Sequence, residues 1–319
     1  MLRALRGALA AAALTLLAAA GCGDEDPVEG TVGVVGGEAV AGVLVYAIAS
    51  TPDQLDPLLA TSRPDQLLTR QVHEPLVERL NGPFGEVRGV RGLAASWRSS
   101  SDRVIWRFEL RRRVRFQDGT PFNASAVLAN AARWRSLAAG RELLPELVAA
   151  DAPRPDLVRF ILSRPVSDFP SRLASPRLGI VSPRALQPRN ARDAVLERTG
   201  RTGTGPFELR ERESERVLIA RNVGWWGTRV DLGPGVDQIE FRIVPTARER
   251  LALLRRGTAQ VADSLPPPAT AEIRRDPLLT YVDGAGRTVL GLERSVRGID
   301  SASEIESLSD VWLTTVGVE

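Results

Sequence analysis

A mixed α/β fold is the class this sequence predicts, on three observations. Strand-like and helix-like apolar patterns alternate from residue 43 onward. Turn-forming Gly, Pro, Asn and Asp residues separate them. Residues 238–262 read strand, helix, strand, the order of a βαβ crossover, which implies a parallel pair within a mixed sheet flanked by helices.

Val43-Leu44-Val45-Tyr46-Ala47-Ile48 is an apolar run of strand length, and Pro52 with Asp56-Pro57 ends it in a loop. From Asp65, Leu67, Leu68, Val72 and Leu76 fall on one face of a helix that also carries His73, and Pro75 marks its frayed end or a kink. Trp106, Phe108 and Leu110 alternate with Arg107, Glu109 and Arg111, the pattern of a half-buried strand. Asp118-Gly119 supplies a turn, and Asn123 can cap a helix with the apolar stripe Val127, Leu128, Ala131 and Trp134. Prolines are frequent between residues 138 and 188, where short elements are expected, including a strand from Leu157 to Leu162.

A short helix from Asn190 to Thr199 leads into Gly203-Thr204-Gly205-Pro206-Phe207, a sharp turn into a strand that pairs with residues 216–221. Gln238 to Val244 is the first strand of the crossover and Ala259 to Ala262 the second. Between them runs a helix from Thr246 to Arg256, with Thr246 and Glu249 at capping-box spacing and Gly257 as its stop.

The amino end carries a different message. Arg3 and Arg6 precede an apolar stretch from Leu9 to Ala20, and Ala19-Ala20-Gly21-Cys22 closes it with small residues, as in a lipoprotein signal peptide. About a dozen apolar residues fall short of the ~20 that a membrane-spanning helix needs. Residues 1–21 are therefore expected to be removed and Cys22 lipidated, leaving the protein exported and held at the outer face of the cytoplasmic membrane or in the periplasm. Cys22 is the one cysteine, so no thiol remains for a disulfide, a nucleophile or a metal. Residues 22–42, rich in Gly, Asp and Glu, read as a flexible tether.

The chain has 42 basic and 39 acidic residues. Every basic residue outside the single His73 is arginine, which raises the pI without making the protein a polycation. Arg111-Arg112-Arg113-Val114-Arg115 is the densest basic run, and its alternation reads as a solvated strand face, so no nucleic-acid partner is expected. His73 is followed by Glu74 with no second histidine, and the glycines at 200, 203 and 205 lack the lysine of a phosphate-binding loop. No catalytic residue, metal site or cofactor is predicted, and a hydrolase reading lacks a nucleophile and base pair.

Eight ordered stretches carry a family resemblance: Leu55-Asp56-Pro57, His73-Glu74-Pro75-Leu76-Val77, Leu93-Ala94-Ala95-Ser96-Trp97, Phe108-Glu109-Leu110-Arg111, residues 114–122 (VRFQDGTPF), Gly203-Thr204-Gly205-Pro206-Phe207, Arg221-Asn222 with Trp225-Trp226, and residues 239–245 (IEFRIVP). In this order the sequence resembles the family 5 extracellular solute-binding proteins, the lipoproteins that deliver oligopeptides, dipeptides, nickel and some sugars to ABC importers. The resemblance implies a periplasmic-binding-protein-like (type II) first lobe with a helix-flanked mixed sheet, plus a small α+β subdomain. It places the mixed-sheet lobe at 43–78 and 175–264, the subdomain at 79–174, and a remnant of the second lobe at 265–319. In the family the chain after the crossover enters a large second lobe. Here Thr288 to Leu292 resembles the strand leading into it, while Val311-Trp312-Leu313-Thr314-Thr315-Val316 reads as a strand returning to the first lobe, so the second lobe is expected to be truncated.

The resemblance also implies an oligopeptide or other small solute as ligand, an ABC permease as partner and the membrane as anchor. The groups that grip peptide termini come largely from the second lobe, so they do not carry over. The remaining candidates are the wall after the first strand, Ala47, Ile48, Ala49, Ser50 and Thr51, and Trp225 and Trp226, whose rings either fill core space or pack on a ligand. One wall alone implies weakened ligand capture. The alternative is a single-lobe interaction or scaffold protein at the membrane surface, without a transport role.

Overall fold

A computed structural model describes residues 42–78, 92–187, 200–230, 236–284, 288–293, 296–297 and 317–318. The predicted helix at 190–199 and the predicted terminal strand at 311–316 lie outside the described residues. Two large sheets organise the described residues, beside one two-stranded ribbon. The larger has seven strands: β1 (Val43–Ile48), β6 (Phe207–Arg212), β7 (Arg216–Arg221), β8 (Gln238–Ile243), β9 (Val261–Leu265), β10 (Leu279–Gly284) and β11 (Thr288–Glu293). The smaller has four: β2 (Ala94–Ser99), β3 (Ile105–Leu110), β4 (Leu147–Arg154) and β5 (Leu157–Leu162).

In the larger sheet the order is β10-β11-β9-β1-β8-β7-β6. β1 runs parallel to β8 on one side and to β9 on the other, and the outer strands are antiparallel. The predicted crossover is present, with α6 (Ala247–Arg255) between β8 and β9. Its two strands are parallel but not adjacent, because β1 lies between them. That insertion explains why β1 reads as an unbroken apolar run: a central strand with helices on both faces has no solvent side.

One face of β1, through Leu44, Tyr46 and Ile48, packs with Leu67 and Leu68 of α1 (Arg63–Val72), Phe241 of β8 and Val261 of β9. A separate cluster joins Leu251 and Leu254 of α6 to Ala262, Leu265 and Ile273, the last on α7 (Ala269–Arg275). Val261 and Leu265 share strand parity yet sit in different clusters. The reason is Ser264, at φ 54°, where the register with β11 also shifts. A left-handed residue reverses the alternation and turns Leu265 to the other face.

Asn123 caps α2 (Ala124–Ser136) by accepting a hydrogen bond from the Ala126 N–H at 3.2 Å. Val127, Ala131 and Trp134 are buried and Leu128 is partly so, which makes the stripe the seam against β4 and β5. Trp134 and Phe160 stack there, and Phe108 meets Phe160 edge to face.

Several local expectations change. α1 ends at Val72 and His73 is its C-cap, closing the last turn with its N–H on the Thr69 carbonyl at 2.8 Å. Pro75 disfavours helical geometry in Glu74, so the chain leaves the helix before Leu76, whose carbonyl accepts from Ala94 instead. Arg111 to Arg115 is no strand face: β3 stops at Leu110, and Arg113 at φ 62° breaks the extension. Thr246 is the N-cap of α6, but its side chain makes no capping bond. β9 begins at Val261, later than expected, because Gly257 at φ 68° starts a turn that carries the chain through Ala259. Gly317 and Val318 pair with β12 (Val296–Arg297) in a ribbon of their own, not with the seven-stranded sheet.

Candidate functional site

Open α/β sheets bind ligands outside the carboxyl ends of their parallel strands, because loops there diverge to either face. Here that edge is the triplet β8-β1-β9, and Ile48, Ile243 and Asp263 stand at its rim. The Val244 N–H donates to the Ile48 carbonyl at 2.8 Å, so pairing runs to the lip of the loop after β1. Asp65, buried in the first turn of α1, then pins that loop by accepting from the N–H groups of Asp53 at 2.8 Å and Gln54 at 2.9 Å. Arg212 donates to the Asp53 carbonyl at 2.8 Å from the other side.

Three further side chains meet at this rim. Arg63, the first residue of α1, donates from Nε to Asp263 Oδ2 at 2.7 Å, and the Tyr46 hydroxyl donates to the same oxygen at 3.4 Å. Burial, and next the Asp263 charge, hold the Tyr46 hydroxyl well above the ordinary tyrosine range, so it stays protonated. Arg250 lies beneath them, 2% exposed. It donates Nε to the Asp263 carbonyl at 2.8 Å, Nη1 to the carbonyls of Val244 and Pro245 at 2.6 and 2.7 Å, and Nη2 to Ser264 at 2.7 Å. One guanidinium thus ties the ends of β8 and β9 together and satisfies the carbonyl of strained Ser264.

Ala47 and Ile48 are buried at 0% and 1%, main chain included, so neither is exposed at the rim. Ala49 and Thr51 are half-buried and Ser50 is exposed, which leaves residues 49–51 as the accessible part of the predicted wall. Trp225 and Trp226 lie elsewhere, at 1% and 6% exposure in the core beneath the four-stranded sheet. Their rings sit 5.6 Å apart, and the Arg111 guanidinium covers Trp226 at 4.3 Å, so in this conformation neither indole offers a face to a ligand.

Trp226 instead serves a second buried polar group. Its Nε1 donates to both carboxyl oxygens of Glu74, each at 2.9 Å. Burial pushes the Glu74 carboxyl up to about 8, and burial drives the adjacent His73 down to about 4, so both are neutral at pH 7. His73 bonds the Thr69 carbonyl through Nδ1 and Thr202 Oγ1 through Nε2. The glycine turn lies directly on this helix end. The Gly205 N–H donates to the Val72 carbonyl at 2.8 Å, and a Cβ at Gly203 would stand 1.8 Å from that oxygen. These glycines serve close backbone approach.

Among the described residues no cluster of three or more His, Cys, Asp or Glu is placed to hold a metal ion, and no helix is long and apolar enough to cross a membrane. A groove of about 760 Å³ lies between α6 and α7, lined by Arg248, Leu251, Arg255, Pro266, Ala269 and Glu272 among others, and by none of residues 47–53, 63 or 263. Sequence reasoning passed over Arg63, Asp263 and Arg250. Two of them left a signal, since Asp263 is an acid inside an apolar strand and Arg250 shares the core-facing helical spacing of Leu254.

Comparison with known proteins places this architecture. The probable D,D-dipeptide-binding periplasmic protein DdpA of Escherichia coli K12 is 30% identical over 230 residues, 70% of this chain and 43% of that protein. The glutathione-binding protein GsiB of the same strain is 31% identical over 227 residues, again 70% of this chain and 42% of its own length. The chain therefore spans less than half the length of these relatives. Among solved structures, NikA from Brucella suis in complex with Fe(III)-EDTA superposes with a TM-score of 0.64 at 26% identity, covering 75% of this chain and 48% of that one. DppA from Helicobacter pylori in complex with the peptide STSA shares the fold, with a TM-score of 0.63 at 22% identity over 76% and 50% of the two chains. The profile of the bacterial extracellular solute-binding proteins, family 5, matches residues 89–298, and the chain belongs to that family.

Proposed function

We propose that this protein is a solute-binding lipoprotein of an ABC importer, of the peptide or related solute class, lipidated at Cys22 and tethered through residues 22–42 outside the cytoplasmic membrane. The observation that carries the binding reading is the carboxyl edge of β8-β1-β9 in a family 5 chain. Residues 49–51 are accessible there, and their loop is held at its far end, at Asp53 and Gln54, by Asp65 and Arg212. A preorganised rim of this kind lowers the ordering cost of capture. Of the wall Ala47 to Thr51, residues 49–51 would contact the solute, through main chain and the Ser50 and Thr51 hydroxyls, with Ala47 and Ile48 as their buried support. Relatives named for dipeptide and glutathione binding support the solute class. A permease is the partner such a protein would deliver to. The reading includes the division into a mixed-sheet lobe at 43–78 and 175–264 and a subdomain at 79–174.

Calorimetric titration of the chain with di- and tripeptides tests the binding. Saturable 1:1 heats support the reading, and their absence across the panel removes it. Lipidation is tested separately by intact-mass analysis of the membrane fraction. Cleavage before Cys22 with an added diacylglyceryl mass is expected, and a Cys22→Ala chain should lose it.

A further inference from the structure

We propose that the outer face of the four-stranded sheet is a docking surface for an anionic phospholipid bilayer, with Arg98, Arg103 and Arg107 as its contacts to lipid phosphate. This surface stands apart from the solute-binding reading, which concerns the other sheet.

Charge is unevenly divided in this protein. Residues 92–174, which hold the small sheet and α2, contain 14 arginines and 8 acidic residues, a net +6. The whole chain is +3, so the rest of it is net −3. An extended anionic surface attracts such a basic pole and repels the remainder, over a distance set by the screening length.

The sheet gathers part of that charge on one face. Trp106, Phe108 and Leu110 of β3 turn inward and are buried, so Arg107 and Glu109 stand on the outer side. The register places Arg98 of β2 directly opposite Arg107, and Arg107 directly opposite Arg159 of β5. Asp151 of β4 faces Arg159 and pairs with it, and Arg154 takes Glu109. Arg98 and Arg107 have no ion pair among the described residues. Neither does Arg103, exposed in the turn between β2 and β3, where the nearby Asp102 is engaged by Ser100 and the Val104 N–H. Like charges directly opposite on a ladder repel, and phosphates lying over the row would relieve that repulsion.

Beside the arginine row runs an apolar one. Ile105 pairs with Ile161, and Ile161 with Ala149, on the same outer face, all three half-buried. A free anion would be served by the arginines alone. Aliphatic groups level with guanidinium groups match the bilayer boundary, where acyl chains meet phosphates and an arginine stem covers apolar surface while its head stays with the headgroups.

The test labels the arginines of the full chain with phenylglyoxal beside vesicles of phosphatidylcholine, alone or with about 30% phosphatidylglycerol, and reads each site by peptide mass spectrometry. Arg98, Arg103 and Arg107 should react at least about five-fold more slowly with the anionic vesicles, while Arg248 and Arg256, exposed at the two ends of α6, keep their rates. About 0.5 M NaCl should remove the protection. Arg98→Gln combined with Arg107→Gln breaks no ion pair among the described residues, so the melting temperature should hold, and Arg103 should lose most of its protection. Equal rates with the two vesicles, protection that extends to Arg248 and Arg256, or the same protection from inorganic phosphate or from raised protein concentration without vesicles overturns the bilayer surface. Each of those outcomes leaves the solute-binding reading intact.

Discussion

Compared with each other, the polar cluster at the strand rim and the one at the end of α1 are enclosed in opposite electrical states. At the rim of β1 and β9, Arg63 and Asp263 form an ion pair, and Arg250 spends its guanidinium on main-chain carbonyls. At the end of α1, His73 and Glu74 are adjacent, fully enclosed and neutral, each satisfied by a neutral partner. A charge in a low-dielectric site must be paired, or the group gives up its charge. The rim lies at the surface, where an ion pair keeps some solvation. At the helix end His73 and Glu74 bond to neutral groups, and burial removes their charge. The difference separates groups paired near the surface from neutral groups that lock three segments together.

The largest effect tests the lock. Gly203→Val drives a side chain into the Val72 carbonyl at the end of α1, and we expect loss of about 3 kcal/mol or more, or no folded protein, in urea denaturation. Arg250→Met comes next. It strips four carbonyls of their donor, and a loss of about 2–4 kcal/mol is expected, with the ends of β8 and β9 exchanging amide hydrogens faster. An unchanged exchange pattern would show that the rim does not depend on its guanidinium.

Titration sharpens the comparison further. Glu74, raised from 4.5 to about 8, binds a proton in the folded state that the unfolded chain has released, so its contribution falls as pH rises through that window. His73, lowered from 6.5 to about 4, does the reverse, and its contribution is lost as pH falls from 6.5 toward 4. From 4.5 to 6.5 the slopes oppose each other, so stability should be nearly flat there and decline by about 2 kcal/mol between 6.5 and 8. Glu74→Gln should abolish that decline and uncover the rising histidine limb below 6.5. Melting temperatures across pH 4–8 read both, and a variant that keeps the alkaline decline would assign it to another group. The smallest effect is expected of Arg111→Ala, about 0.5–1 kcal/mol from the cation–π contact over Trp226, seen as a small change in tryptophan fluorescence and stability.

What was legible beforehand was whatever short stretches of chain decide among themselves. β1 and β5 fall on their predicted bounds, because an apolar run of strand length between turn residues has few other outcomes. The Asn123 cap and the alternation of Trp106, Phe108 and Leu110 are likewise local. His73 was misplaced by a single turn, since the stripe through Leu76 continued past the point where Pro75 stops the helix. Ala47 to Thr51 read as a wall, of which residues 49–51 are accessible, yet the charged groups beside them left no local mark. Nothing near Arg63 announces an acid 200 positions away.

By itself, then, the sequence determined most element types, the Asn123 cap and the family, because periodicity and turn chemistry act over a few residues. Tertiary structure alone decided that β1 would slip between the strands of the crossover, that Ser264 would turn Leu265 to the opposite face, and that Arg63 would meet Asp263. Those outcomes depend on which surfaces are buried together and which polar groups remain to be satisfied, and that accounting closes only when distant segments share one core.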